Sequence, residues 1–251
     1  MTDFLGMKEP ITAVVVGARG GVGAAFCRRF EREPGVRTIH GTSRDAQWSA
    51  EAGTGKLRKH CLDIVDEDSV RRLTEAIKAE GEAPNLVINC TGLLHGDGLG
   101  PERTWRELDI DTMRRVFDVN ALGVALLVKH LVPLMPRAER SFFATLSARV
   151  GSIGDNRLGG WYSYRASKAA QNMLVKTASI EAKRQRRELV LVALHPGTVD
   201  SDLSKPFTKR YEPDRLFTPD FSCERLCEVL SGLGAEDSGG LYAWDGAAIP
   251  W

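Results

Sequence analysis

The chain has 251 residues, 43% hydrophobic and 27% charged, with a formal net charge of +1. This composition suits a folded core and excludes a long disordered chain, and the near-zero charge offers no general attraction to nucleic acid or an anionic membrane. "MTDFLGMKEP" lacks the basic start and apolar stretch of a secretory leader, and the apolar run "ALGVALLVKHLVPLM" carries Lys129 and His130 and is too short to cross a bilayer, so a cytoplasmic protein is expected.

The first element is "ITAVVVG" at 11–17, a β-branched run of the kind that forms a strand covered on both faces. A helical pattern runs from Gly21 to about Glu33. The turn between them, "GARGGVG", places Gly17, Arg19, Gly21, Val22 and Gly23 where a strand passes into a helix. A pyrophosphate needs close backbone approach and outward N–H groups, and a glycine-rich helix start supplies both. "RTIHGTS" at 37–43 is the second strand. It ends on Ser43 and Arg44. A hydroxyl and a guanidinium suit a ribose 2′-phosphate, so NADP(H) is favoured over NAD. Asp45 points the other way, because an acid there would accept from a free 2′-hydroxyl.

"KLRKHCLD" at 56–63 is the third strand, and a helix over 66–80 opens with Asp66, Glu67 and Asp68. "NLVINCTG" at 85–92 is the fourth strand, followed by a long helix over 111–131. "SFFATLS" at 141–147 is the fifth, with a helix over about 163–186. "LVLVALHPG" at 189–197 is the sixth, and "GLYAWDG" at 240–246 the last. The basic run "KRQRR" at 183–187 reads as a solvated helix end. Such alternation predicts one doubly wound α/β domain over 1–251, a parallel Rossmann-type sheet with helices on both faces. The five cysteines are scattered. Cys223 and Cys227 share a helix face, but no second Cys/His pair completes a metal site. The segment 200–222, with Phe207, Tyr211, Phe217 and Phe221, is long enough to serve as a substrate lid.

"WYSYRASKAA" at 161–170 holds the reactive group. A tyrosine that cycles between phenol and phenolate near neutral pH needs a cation beside it. On a helix, partners lie three or four residues apart. Lys168 is four residues from Tyr164 and six from Tyr162, so spacing selects Tyr164.

"VGARGGVG", "NCTG" at 89–92, "VNALG" at 119–123, "YRASK" at 164–168 and "HPGTV" at 195–199 resemble, in order and spacing, the short-chain dehydrogenase/reductase family. "YSYRASKAA" and "AWDGAAIPW" look most like its C-factor and sniffer-like carbonyl reductase branch. The resemblance implies Tyr164 as acid/base, and Lys168 lowering its pKa and binding the nicotinamide ribose. It implies Asn120 holding a water in a proton relay through Lys168. Asp63 and Ile64 would contact adenine, and Asn89, Thr91 and Gly92 would support the sheet beside the cofactor. Pro196, Gly197 and Val199 would flank the nicotinamide, and Ser201 would touch the pyrophosphate. Val16, Cys90 and Thr91 depart from the family pattern. The family's polarising serine falls, by counting back from Gly151, on Ala148. Ser147 is one residue off, and one residue along a strand reverses the face. Ser147 is preferred, with Ser152 the alternative. The expected activity is NADPH-dependent reduction of an aldehyde, ketone or quinone. The other function is that of a C-factor-type regulator with incidental turnover. The family also implies a homodimer or homotetramer.

Overall fold

All six residues of strand β1 (Ile11–Val16) are buried, as a strand with helices on both faces requires. The structure is a computed structural model that describes residues 4–96, 98–185, 188–208 and 216–251. Arg186, Arg187 and Tyr211 lie outside the described residues. Strands β2 (Val36–Ser43), β3 (Leu57–Cys61), β4 (Leu86–Asn89), β5 (Ser141–Leu146), β6 (Leu189–His195) and β7 (Leu241–Ala243) join β1 in one sheet of order β3-β2-β1-β4-β5-β6-β7. Every pairing within it is parallel.

Alternation along β1 divides the core. Ala13 and Val15 face helices α1 (Gly21–Glu31) and α7 (Pro219–Gly232). Val14 and Val16 face α3 (Glu67–Ala79), α5 (Gly123–Leu131) and α6 (Tyr162–Gln185). The winding reverses between β1 and β4, and a doubly wound sheet leaves its crevice outside the strand ends at that point.

Three features differ from the expected elements. A short helix α2 (Ala46–Ala50) follows β2, because the Asp45 side chain accepts from Gln47 N and Trp48 N. The long central helix is not continuous. It runs as α4 (Ile110–Phe117), a π-turn (Asp118–Leu122) and then α5. From Ile110 to Leu134 this stretch is, by length and composition, long and apolar enough to cross a membrane. Its Leu127 and Leu131 are nevertheless buried in the core, and Lys129 and His130 both meet Glu67 of α3, at 2.6 and 2.8 Å. The last strand is three residues long rather than seven, ending at Ala243.

Cys27, Cys223 and Cys227 are buried, Cys90 is half-buried and Cys61, at the end of β3, is exposed. Burial pushes the Cys27 thiol up to about 12 and the Cys90 thiol well above its usual range. Among the described residues no three His, Cys, Asp or Glu side chains gather to hold a metal.

Candidate active site

A cavity of about 830 Å³ opens along the C-terminal ends of β1, β2, β4, β5 and β6. Its lining includes Gly17, Arg19, Gly21, Val22, Ser43, Arg44, Asp63, Ile64, Thr91, Gly92, Ser147, Tyr164, Lys168, Pro196, Gly197, Val199 and Ser201. Gly23, Asn89 and Asn120 stand behind that surface.

At one end the glycine turn delivers the chain into α1. No side chain caps this helix, whose first residues Gly21 and Val22 face the cavity. Uncapped amides at a helix start are donors awaiting an acceptor. A Cβ on Gly20 would meet nothing within 4 Å, while one on Gly23 would collide with the carbonyl oxygen of Gly17. Gly20 thus leaves room for a ligand, and Gly23 lets the helix seat against the turn. Arg44 is exposed on the rim and has no ion-pair partner among the described residues. Arg19 is engaged otherwise, 2.6 Å from Asp45. Asp45 caps α2 as well, and those backbone donors hold its carboxyl below the usual range. The acid that argued for NAD is therefore occupied by Arg19 and the α2 amides. The turn and the uncapped helix start fit the phosphates of a nicotinamide dinucleotide.

Asn89 donates to Thr145 Oγ1 (3.0 Å) and accepts from Thr91 N and Oγ1 (3.1 and 2.7 Å). It braces the floor of the cavity from β5. Asp63 Oδ1 accepts from Val65 N at 3.2 Å, which turns the chain after β3.

Tyr164 and Lys168 stand one turn apart on α6, only 7% and 2% exposed. The Lys168 ammonium lies 5.9 Å from the Tyr164 ring centre. It donates to Leu146 O and Gln171 Oε1, both at 2.8 Å. Burial dominates both groups: it pushes the Tyr164 hydroxyl up to about 12 and brings the Lys168 amine down to about 7. The expected fall in the tyrosine's pKa is thus not present in the free protein, where desolvation outweighs the lysine. Tyr162 does not line the cavity, whereas Trp161 does.

Ser147 directly follows β5, and its hydroxyl donates to Asn172 Oδ1 at 2.7 Å. Ala148 also reaches the cavity, in an extended conformation. Ser152 is committed elsewhere: it is 1% exposed, hydrogen-bonds the carbonyl of Pro250 and accepts from Asp155 N. It does not line the cavity.

Asn120 sits in the π-turn. Its Oδ1 accepts from Leu93 N (2.7 Å), and its Nδ2 donates to Leu93 O (2.9 Å) and Ser167 Oγ (3.0 Å). The side chain therefore pins the segment after β4 to α6. A Cβ on Gly92 would lie 3.8 Å from both Asn120 Oδ1 and Lys168 Nζ, so the two groups converge on that glycine. Gln171 and Asn172, which hold Lys168 and Ser147, were not singled out from the sequence. Their signal was available, since they lie seven and eight residues beyond Tyr164 on the same helix face.

A family model described as short chain dehydrogenase matches residues 11–212. The 1-hydroxy-2-glutathionyl-2-methyl-3-butene dehydrogenase of Rhodococcus sp. (strain AD45) is 30% identical over 240 residues, covering 96% of this chain and 99% of that one. C-signal of Myxococcus xanthus is 33% identical over 145 residues, 58% of this chain and 82% of that one. Among solved structures, the NADPH-bound carbonyl reductase from chicken fatty liver superposes with a TM-score of 0.83 at 25% identity, covering 98% of this chain and 96% of that one.

Proposed function

Since this chain belongs to the short-chain dehydrogenase/reductase family, we propose that it is an NADPH-dependent carbonyl reductase. The observation that carries this reading is the meeting, in one cavity, of Tyr164, Lys168 and Ser147 with the uncapped start of α1 and the unpaired Arg44. When bound, the nicotinamide cofactor supplies a hydride to the carbonyl carbon. Tyr164 gives its proton to the carbonyl oxygen as the C=O bond becomes an alcohol. Burial keeps that phenol protonated well above neutral pH, so it is ready to act as the proton donor. Ser147 Oγ turns from Asn172 to donate to the same oxygen and stabilise its developing charge. Lys168 holds the cofactor ribose and returns a proton to Tyr164. Asn120, bonded to Leu93 next to Gly92, holds the water of a proton relay through Lys168.

The glycine turn, with Ser201, holds the pyrophosphate, while Ser43 and Arg44 hold the 2′-phosphate. Asp63 and Ile64 meet the adenine, and Pro196, Gly197 and Val199 back the nicotinamide. Residues 200–208 and 216–222 act as the lid. In support, Phe207 packs tilted against Trp161 with ring centres 5.0 Å apart.

The test is NADPH and NADH oxidation against a panel of aldehydes, ketones and quinones, with Tyr164→Phe as control. NADPH-dependent turnover that the variant lacks supports the reading. Equal rates in the two proteins overturn it. The similarity to C-signal supports a second reading, a cofactor-binding regulator. Tight NADPH binding without turnover of any carbonyl would favour that one.

A further inference from the structure

Three consecutive residues before α6 adopt left-handed backbone: Gly159 (φ 62°), Gly160 (φ 64°) and Trp161 (φ 54°). The two glycines accept this freely. A tryptophan does so rarely, and only where its surroundings impose it. The constraint comes from both sides. Arg165 Nε donates to the carbonyls of Gly159 (3.2 Å) and Gly160 (3.0 Å). From the other side, Trp161 N donates to Glu102 O at 2.5 Å.

Glu102 lies in the segment between β4 and α4, and its side chain is not part of the cavity. Glu102 is nevertheless only 3% exposed. Its carboxylate accepts from Ser163 N at 3.1 Å and from the Ser163 hydroxyl. Trp161, the residue before α6, has no side-chain acceptor, so a residue 61 positions away in sequence caps the helix that carries Tyr164. A carboxylate at a helix start also meets the positive end of the dipole. Glu102 thus grips Trp161 through its main-chain carbonyl and the first turn of α6 through its carboxylate.

The wall it grips is aromatic. The Trp161 ring stands edge-on to Tyr164 at 6.2 Å and tilted against Phe207 at 5.0 Å, and Phe207 in turn meets His95 at 5.6 Å. Val150 and Leu158 complete the same chamber. A flat ring seated here gains face and edge contacts that a short alkyl chain cannot make.

We propose that Glu102 is a positioning residue that sets the specificity of this site: its carboxylate fastens its own loop to the first turn of α6 and so keeps its main-chain carbonyl on Trp161 N, and the chamber built around that ring selects flat aromatic carbonyls over small aliphatic ones. This rests on the carbonyl reductase reading for turnover, but not for ring binding.

The experiment therefore reads both. Titration calorimetry measures 2-naphthaldehyde binding to the wild type, Trp161→Ala, Glu102→Ala, Glu102→Gln and the Glu102→Ala/Trp161→Ala double variant. Steady-state kinetics compare 2-naphthaldehyde with propanal. Trp161→Ala is expected to weaken naphthaldehyde binding and raise its KM about tenfold, with the propanal KM within about twofold, the loss of one stacking wall. Glu102→Ala keeps the main-chain carbonyl but unfastens the loop from Ser163, so it should shift selectivity in the same sense by a smaller factor, and the double variant should be no worse than Trp161→Ala. Glu102→Gln, which still accepts from Ser163 N, should keep most of the selectivity and guards against an unfolded alanine variant. NADPH affinity should stay the same throughout. Additive losses, or equal losses for both carbonyls, overturn the proposal, as does a wild type that does not bind naphthaldehyde. A wild type that binds naphthaldehyde in the expected pattern but reduces no carbonyl overturns the catalytic reading and leaves the positioning role standing.

Discussion

The two ends of the cavity are built by opposite means. The dinucleotide end is made where consecutive strands stop: Gly17, Ser43, Asp63 and Thr91 each stand at or just past the end of one of the first four parallel strands. Sheet register fixes them relative to one another. The end around Tyr164 is assembled from chain segments far apart in sequence. The loop bearing Glu102, the glycine pair before Trp161 and the short turn Lys205–Phe207 meet through ring contacts and long-range hydrogen bonds. The first end inherits its rigidity from the sheet, whereas the second depends on a few side-chain grips. Substrate preference should therefore be easier to alter than coenzyme binding.

Substitutions that act at the seam of the two ends should have the largest effect. Tyr164→Phe should lower carbonyl reduction by roughly a hundred- to ten-thousand-fold and leave NADPH affinity nearly intact. Tyr162→Phe, outside the cavity, should be mild. Stopped-flow turnover with fluorescence titration of NADPH separates these, and a dead Tyr162 variant would break the helix-face argument. Ser147→Ala should cost roughly ten- to a thousand-fold in kcat, as for removal of one donor to a developing oxyanion. Unchanged kcat would show that the serine plays no part. Within the dinucleotide end, Arg44→Ala should weaken NADPH by roughly ten- to a hundred-fold, the worth of a charge-assisted hydrogen bond, and barely alter NADH. Added salt should weaken NADPH binding to the wild type, since the pair is exposed. Equal loss of both coenzymes would mean that Arg44 acts on the fold instead.

The smallest effect is on stability. Lys168 titrates at about 7 in the folded protein, below the ordinary lysine value of 10.5, because it is buried. Between those pH values the unfolded chain holds a proton that the folded one has released. Stability contributed by this site therefore rises with pH across that window, and below it the buried charge is a full penalty. Lys168→Met should abolish reduction yet raise Tm by roughly 3–6 °C at pH 7. The gain should shrink toward pH 10 in calorimetric scans. A variant that melts lower at both pH values would show that the bonds to Leu146 and Gln171 outweigh the desolvation.

The same contrast explains what could be read from the sequence. The strands, the glycine turn and the Tyr164–Lys168 spacing are local patterns with fixed periods, and each sits where its period places it. The π-turn around Asn120 was hidden because the unbroken apolar run at 121–128 has no single face on which the shift of one residue would show. Helix α2 was missed because Asp45 was weighed as a ribose ligand rather than a cap. Glu102 carried no local signal at all. Its partner is 61 residues away, and only the folded chain brings a carboxylate from one loop to the start of another segment's helix. Ser147 falls between these cases. The family resemblance pointed to within one residue of it, but its bond to Asn172 depends on how β5 meets α6.

The unequal burial of the cysteines gives the protein a chemical address. Thiol reagents attack the thiolate, and burial holds Cys27 and Cys90 far from ionising at neutral pH. Cys223 and Cys227 are sealed between α7 and the sheet. Cys61 alone of the five is exposed, with its sulfur 4.0 Å from the carbonyl oxygen of Arg44 and two residues before Asp63. A maleimide fluorophore added to the unmodified chain would settle beside the end of the cavity proposed for the adenosine. Its emission would then report coenzyme arrival directly, with no engineered attachment site and no need for a substrate.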